Sequence, residues 1–227
     1  MHLKNTQQIF LNHHFKIIDI SPTISEKLAV FPGDKNFKRF ESMSTVNGDL
    51  ITLSSIESTL HIGAHTDAPI HYHKHGETIE KRSLHFYLGP CQVIELEMSE
   101  SKIITADIIR QNNLEISAER ILLKTMSFPR PEKWNNDFIS LSSCAIDLLH
   151  SLGVILIGID TPSVDFATSK TLDAHHTIYQ YNMSILEGIV LEHVFPGHYF
   201  LIAPPLKIQD GDAAPTRAIL LQQNQPK

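Results

Sequence analysis

The segment His61-Ile-Gly-Ala-His65-Thr-Asp67-Ala-Pro-Ile-His71 restricts the fold more than any other part of the chain. Gly63 and Pro69 oppose a helix, one through its backbone freedom and the other through its missing N–H donor. His61, His65, Asp67 and His71 stand at odd positions, and the mostly apolar Ile62, Ala64, Thr66, Ala68 and Ile70 stand at even ones. This period of two predicts an extended strand with one buried face and one face carrying all four polar groups. Imidazoles and a carboxylate in register are donors for a first-row metal, with zinc or manganese the best match. The competing reading is a strand face merely rich in histidine, and four such groups in register favour the metal.

The remainder predicts alternating strands and helices. Residues 1–14 read as a loose polar lead-in and 15–20 as a first strand. Phe31-Pro-Gly-Asp34 is a turn signal with an aromatic at its tip. Residues 50–60 read as a strand running straight into the histidine segment. His73 and His75 keep the odd register but lie past the expected strand end, and read as solvated. Cys91 opens a strand over 91–96 as a buried small hydrophobe. Thr105 can cap a short helix to about 112, and Ser142 or Ser143 a second to about 152. Ala145, Ile146, Leu148, Leu149 and Leu152 form the apolar stripe of that second helix, and Gly153 ends it.

Residues 120–125 read as a short buried strand, and 154–159 is an all-apolar run of a length for a strand buried on both faces. Between them, 127–139 is a loop rich in Pro and Asn that holds Trp134. Asp160-Thr-Pro-Ser-Val-Asp165 follows the second run, at the carboxyl end of a buried strand, where ligands bind in open α/β sheets. A second polar cluster contains His175, His176 and Glu187. Adjacent histidines cannot both face one point, so one of the pair is the candidate ligand. Glu187 lies in an apolar run and needs a partner if buried, which a metal supplies; an edge-strand carboxylate facing water is the alternative. Residues 199–206 and 218–221 read as closing strands.

A chain of 227 residues with 42% apolar and 19% charged residues predicts one globular domain over 1–227. A net charge of −6 offers no electrostatic attraction for nucleic acid or an anionic membrane. Two cysteines without a CxxC pair fit a reducing, cytoplasmic location rather than a disulfide framework. No signal-like apolar region opens the chain, and no run approaches the ~18 apolar residues of a spanning helix.

The motif HxGxHxDxPxH, matched by His61, Gly63, His65, Asp67, Pro69 and His71, resembles that of the metal-dependent cyclase superfamily. Further matches are DISP and FPGD near the start, GPC at 89–91, GIDTPSVD at 158–165, SKTLDAHH at 169–176, ILEG at 185–188 and the carboxy-terminal PLKIQDGDAAPTRAIL. The SVD, LDAHH and ILEG blocks are similar to the bacterial kynurenine formamidases within it. The resemblance implies an α/β fold with a compact β-barrel-like mixed sheet core flanked by helices, usually a homodimer. It implies two zinc ions, with manganese possible: His61, His65 and Asp67 on one, His175 on the other, and Asp67 and Glu187 bridging. The family spacing selects His175 over His176, and the resemblance makes His71 the general acid/base.

The implied reaction is hydrolysis of N-formyl-L-kynurenine to L-kynurenine and formate. Phe31 stands where the family has a substrate-contacting Trp, and Phe166 where Pro often follows the aspartate. Two rival readings are opening of a cyclic amide such as isatin, and a non-catalytic zinc-binding protein. No GxSxG is present, so nothing supports a serine-hydrolase route to the same products.

Overall fold

The computed structural model describes residues 15–98, 101–113 and 115–223; the expected lead-in over 1–14 lies outside them. The strands are β1 (Phe15–Asp19), β2 (Lys38–Met43), β3 (Leu53–Glu57), β4 (His65–Asp67), β5 (Leu88–Glu95), β6 (Ile103–Ile104), β7 (Arg120–Lys124), β8 (Ser140–Leu141), β9 (Leu156–Ile159), β10 (Ser184–Leu186), β11 (Gly197–Ile202), β12 (Ala213–Pro215) and β13 (Ile219–Gln223). The α-helices are α1 (Ala106–Gln111), α2 (Ser143–Ser151) and α3 (Asp173–Gln180).

A seven-stranded mixed sheet in the order β1-β13-β11-β5-β7-β9-β10 forms the centre. Its β1, β13, β11 and β5 are antiparallel neighbours, whereas β5, β7, β9 and β10 run parallel. Parallel neighbours need crossovers, and each one contains a helix: α1 between β5 and β7, α2 between β7 and β9, α3 between β9 and β10. The expected α/β class, a mixed sheet core flanked by helices, is therefore the class observed, as a large sheet with few helices. The hydrogen-bonded order has two ends, β1 and β10.

Apolar alternation in the parallel strands serves two cores. Ile121, Leu123, Ile157 and Ile159 pack against Ile109, Ile146, Leu149 and Ile178 of the helices. Leu122 and Leu156 face the opposite way, toward Val93, Leu186, Leu201 and Leu220. A strand enclosed on both sides reads as a continuous apolar run, as 154–159 does. The helix caps are as expected: Thr105 Oγ1 accepts from Ile108 N–H and Ser142 Oγ from Ala145 N–H. Gly153 follows α2 at φ +87°, but Leu152 is 50% exposed and falls outside the buried stripe.

Two sequence expectations need correction. Residues 61–71 do not form one strand. Only β4 is extended, Gly63 turns the chain at φ +58°, and Pro69–His71 form a 3₁₀ turn. The cause is a backbone crossing: a Cβ on Gly188 would lie 2.2 Å from Gly63 O, so only glycine at 188 lets the two backbones approach this closely. The alternation also does not separate core from water, because His65 and Asp67 are as buried as Ile62 and Thr66. It separates an apolar interior from a polar one. Residues 50–60 do not lead straight into this segment either. Within them β3 pairs with β2 in a hairpin whose strand residues are all exposed, and an irregular stretch then carries the chain to β4.

Candidate metal centre

The centre lies beyond the carboxyl ends of β9 and β10. There the small β4–β12 pair packs against β10, with His65 opposite Pro215 and Asp67 opposite Ala213. His65 N–H donates to Glu187 O at 3.1 Å and Glu187 N–H returns the bond to His65 O at 2.9 Å. That ladder seats the residue after β10 directly against the histidine motif. α3 brings His175 in from a third direction. Leu172 precedes it in a left-handed conformation at φ +49°, and Asp165 accepts the Ala174 and His175 N–H groups at 3.1 Å each. His175 is buried and His176 is exposed.

Two carboxylates divide their oxygens between two groups of imidazoles. Asp67 Oδ1 lies 2.9 Å from His61 Nδ1 and 3.4 Å from His65 Nε2, while Asp67 Oδ2 lies 3.3 Å from His175 Nε2. Glu187 Oε2 lies 3.3 Å from His65 Nε2, and Glu187 Oε1 lies 3.8 Å from His175 Nε2. His65 Nε2 and Asp67 Oδ1 are buried without a hydrogen-bond partner, so these short approaches lack the alignment of hydrogen bonds. Buried donor atoms that converge on one another without bonding are costly unless a cation draws them together.

The outward ring nitrogens support the same reading. His61 Nε2 lies 3.1 Å from Asp212 Oδ2, His65 Nδ1 lies 2.9 Å from Gly63 O and His175 Nδ1 lies 2.6 Å from Asp165 Oδ2. An imidazole that donates outward presents a lone pair inward, the usual arrangement of a metal-ligating histidine. The residues present therefore fit a divalent metal site, with His61, His65 and Asp67 as one donor set and Asp67, His175 and Glu187 as the other.

The electrostatics agree. Burial alone lowers an imidazole pKa, yet the charge of Asp67 and the contacts with Asp212 and Asp67 raise His61 to about 9. Burial is likewise outweighed at His65, by Asp67 and Glu187, and at His175, by Asp165 and Asp67, and both rise to about 10. Burial opposes ionisation of Asp67, but the charge on His61 and contacts from the other imidazoles hold its carboxyl well below the usual range. So much negative charge draws positive charge, proton or metal ion, onto this cluster. His71 behaves differently: burial is the dominant influence and lowers its pKa. Its ring lies 4.1 Å from that of His61 and reaches the centre through the 3₁₀ turn, not through strand register. His73 stacks on Tyr179 at 3.9 Å and His75 is exposed; neither joins the cluster.

The cluster opens into a cavity of about 460 Å³, lined at its far side by Phe31, Phe128, Trp134 and Phe166. Asp160, in the loop singled out at the carboxyl end of β9, accepts from Thr125 Oγ1 and from the N–H groups of Thr125 and Met126. Burial raises its pKa, and its role is to pin the start of the 126–139 loop. Asp165 and Asp212, the outer partners of His175 and His61, were not assigned from sequence. Both lie in matched motif blocks, but neither periodicity nor spacing assigns them a partner.

A seven-stranded mixed sheet with a buried histidine–carboxylate cage at its strand ends defines a metal-site α/β protein of the hydrolase type. The chain belongs to the cyclase family, and its kinship there is with the kynurenine formamidases. A family model described as "Putative cyclase" matches residues 18–166. The kynurenine formamidase of Bordetella avium (strain 197N) is 40% identical over 209 residues, spanning 90% of this chain and 97% of that protein. Among solved structures, a potential metal-dependent hydrolase with cyclase activity superposes with a TM-score of 0.79 at 29% identity, covering 94% of this chain and 100% of the other. An isatin hydrolase bound to the product analogue thioisatinate shares the fold, with a TM-score of 0.80 at 18% identity over 98% of this chain and 97% of the other.

Proposed function

We propose that this protein is a metal-dependent arylformamidase that hydrolyses N-formyl-L-kynurenine to L-kynurenine and formate in tryptophan degradation. The observation that carries the reading is the pair Asp67 and Glu187, each set between the His61/His65 side and His175, with His71 beside them on an open cavity. The relative that matches nearly the whole chain supports the choice of substrate. We assign two zinc ions per chain to the two donor sets, with manganese as the alternative metal.

When bound, the metal ions supply an electrophile for the formyl oxygen and bring the pKa of water toward ~7. The reaction adds water across the C–N bond, so that formate takes the oxygen and kynurenine nitrogen takes a proton. His71 is the group to move that proton. Its lowered pKa keeps the ring neutral and able to accept from water, and its return to the anilide nitrogen makes that nitrogen a competent leaving group. Asp212, 3.5 Å from His71 Nδ1 and 3.1 Å from His61 Nε2, orients both rings. Phe31, 44% exposed at the cavity wall, contacts the substrate.

The donors come from residues 61–67, 175 and 187, so the chain acts as one catalytic domain in this reading. A homodimer is proposed as well. The β2–β3 hairpin exposes Phe40, Met43, Leu53 and Ile56, and its connection exposes Val46, Leu50 and Ile51. A two-stranded hairpin is marginally stable alone, and a second copy would cover it. Among the described residues no helix is long and apolar enough to cross a membrane; the free thiols Cys91 and Cys144 accord with the cytoplasmic location proposed.

Purified protein given N-formylkynurenine, with and without chelator, tests the reading through the appearance of kynurenine absorbance. Turnover abolished by chelator and restored by zinc is the expected result. Faster turnover of isatin than of N-formylkynurenine would transfer the assignment to cyclic-amide opening. Bound metal with turnover of neither would leave a non-catalytic zinc protein.

A further inference from the structure

We infer that Trp134 is the aryl-recognition residue of this cavity, forming with Phe31 the wall that selects ring-bearing substrates. The inference rests on the formamidase reading and adds a specificity determinant to it. Trp134 comes from the 126–139 loop, about a hundred positions along the chain from Phe31, yet their ring centroids lie 5.2 Å apart at 72°. Phe128 meets Trp134 at 6.0 Å and 69°, and Phe138 meets it at 6.2 Å and 86°. Phe138 is fully buried, so this cluster is anchored in the interior. Edge-to-face pairs at these separations are mutually attractive and set the ring planes.

The backbone holds this wall in place. Ala29 N–H donates to Pro131 O at 3.0 Å, tying the Phe31 segment to the Trp134 loop. Asp160 fixes one end of the loop, and at the other Ile139 N–H donates to Ser127 Oγ at 2.9 Å. The indole N–H donates to Asn136 Oδ1 at 2.6 Å. Its one polar group is thereby satisfied within its own loop, and what the side chain offers a ligand is apolar ring surface.

Among the described residues that line the cavity, none is Lys or Arg. An ion pair with a substrate carboxylate is therefore not what these side chains provide, and ring burial carries the recognition. Substrates whose scissile formamide is attached to an aryl ring are held with the ring against Trp134 and Phe31 and the formyl group toward the histidines. Formanilide, which lacks the amino-acid end, uses the same wall. An alkyl formamide does not.

Trp134 is the sole tryptophan of the chain, so its emission reports the wall directly in the metal-loaded enzyme. Saturable quenching by 2-aminoacetophenone, the ring of the product without its amino-acid end, is expected, and it should weaken in Phe31→Ala. Trp134→Ala should raise KM about ten- to a hundredfold for N-formylkynurenine and for formanilide alike, with kcat within about twofold of the parent. Trp134→Phe should restore most of the affinity, and KM for an alkyl formamide should not change. Unaltered KM for both aryl substrates in a folded, metal-loaded Trp134→Ala would overturn the inference. So would a loss confined to kcat, or no quenching by the aryl ligand. If the parent enzyme turns over no formamide, the functional reading fails by itself, and the quenching titration still decides whether Trp134 meets an aryl ligand.

Discussion

The two sides of the proposed metal centre are built in opposite ways. His61, His65, Asp67 and His71 come from one short segment, and local turns at Gly63 and Pro69 bring them together. His175 and Glu187 come from a helix and a strand end far along the chain, and only the parallel β9–β10 pairing and the ladder between His65 and Glu187 set them opposite the motif. The near side has the partly exposed Asp212 behind His61. The far side has the buried Asp165 behind His175. A site assembled this way has one half specified by local sequence and one half that exists only when the sheet is complete.

Asp67 belongs to both halves, so its loss should do most. Asp67→Ala is expected to empty both proposed metal positions and lower turnover by more than about 10⁴-fold, beyond the usual worth of acid–base catalysis. His175→Ala should empty chiefly the far position, whereas the exposed His176→Ala should retain both metals. Elemental analysis of folded variants checks this, and full occupancy in His175→Ala would break the two-sided description. His71→Ala comes next. It should keep its metal and lose about 10²–10⁴-fold in kcat. A metal-free His71→Ala would make His71 a ligand of the near side.

The outer carboxylates sharpen the contrast at a lower magnitude. Asp165→Asn and Asp212→Asn should each weaken metal affinity by about 10–100-fold, the first at the far position and the second at the near one. Competitive titration with a chromophoric chelator resolves which position weakens. The same effect at one position in both variants would mean that the halves are not separately supported.

The smallest effect concerns pH. With metal removed, His61, His65 and His175 have pKa values raised from 6.5 to about 9, 10 and 10. Groups raised on folding contribute stability that is fully present below about pH 6.5 and lost as pH climbs through 9 to 10. Chelated protein should therefore show a falling Tm between about pH 7 and pH 9.5, and metal-loaded protein a smaller fall. Metal binding displaces those protons, so affinity should rise over the same interval. A flat Tm in the chelated protein would show that the imidazoles do not retain the protons that the carboxylates favour.

Much of the fold was legible because it rests on local rules. Thr105 and Ser142 act as helix caps, Gly153 follows α2, and 154–159 supplies a strand enclosed on both faces. The hairpin of β2 and β3 was less legible. Its large apolar residues, Phe40, Met43, Leu53 and Ile56, are of the types that fill a core strand, and no local feature indicates that they remain exposed. The 61–71 segment was legible in its donors and misleading in its shape, since a period of two looks the same whether the polar face meets water or another polar interior.

Sequence alone determined which side chains are present, their chemical types, and the spacing that places imidazoles and carboxylates within reach of one another; those follow from composition and local geometry. Tertiary structure decided the rest. It turned His175 rather than His176 inward through the packing of α3, set Glu187 against His65 through backbone pairing, placed Asp212 and Asp165 behind their histidines, and brought Trp134 to Phe31. Each of these is a contact between residues distant along the chain. Its geometry depends on how sheet and helices close over their cores, which no local pattern encodes.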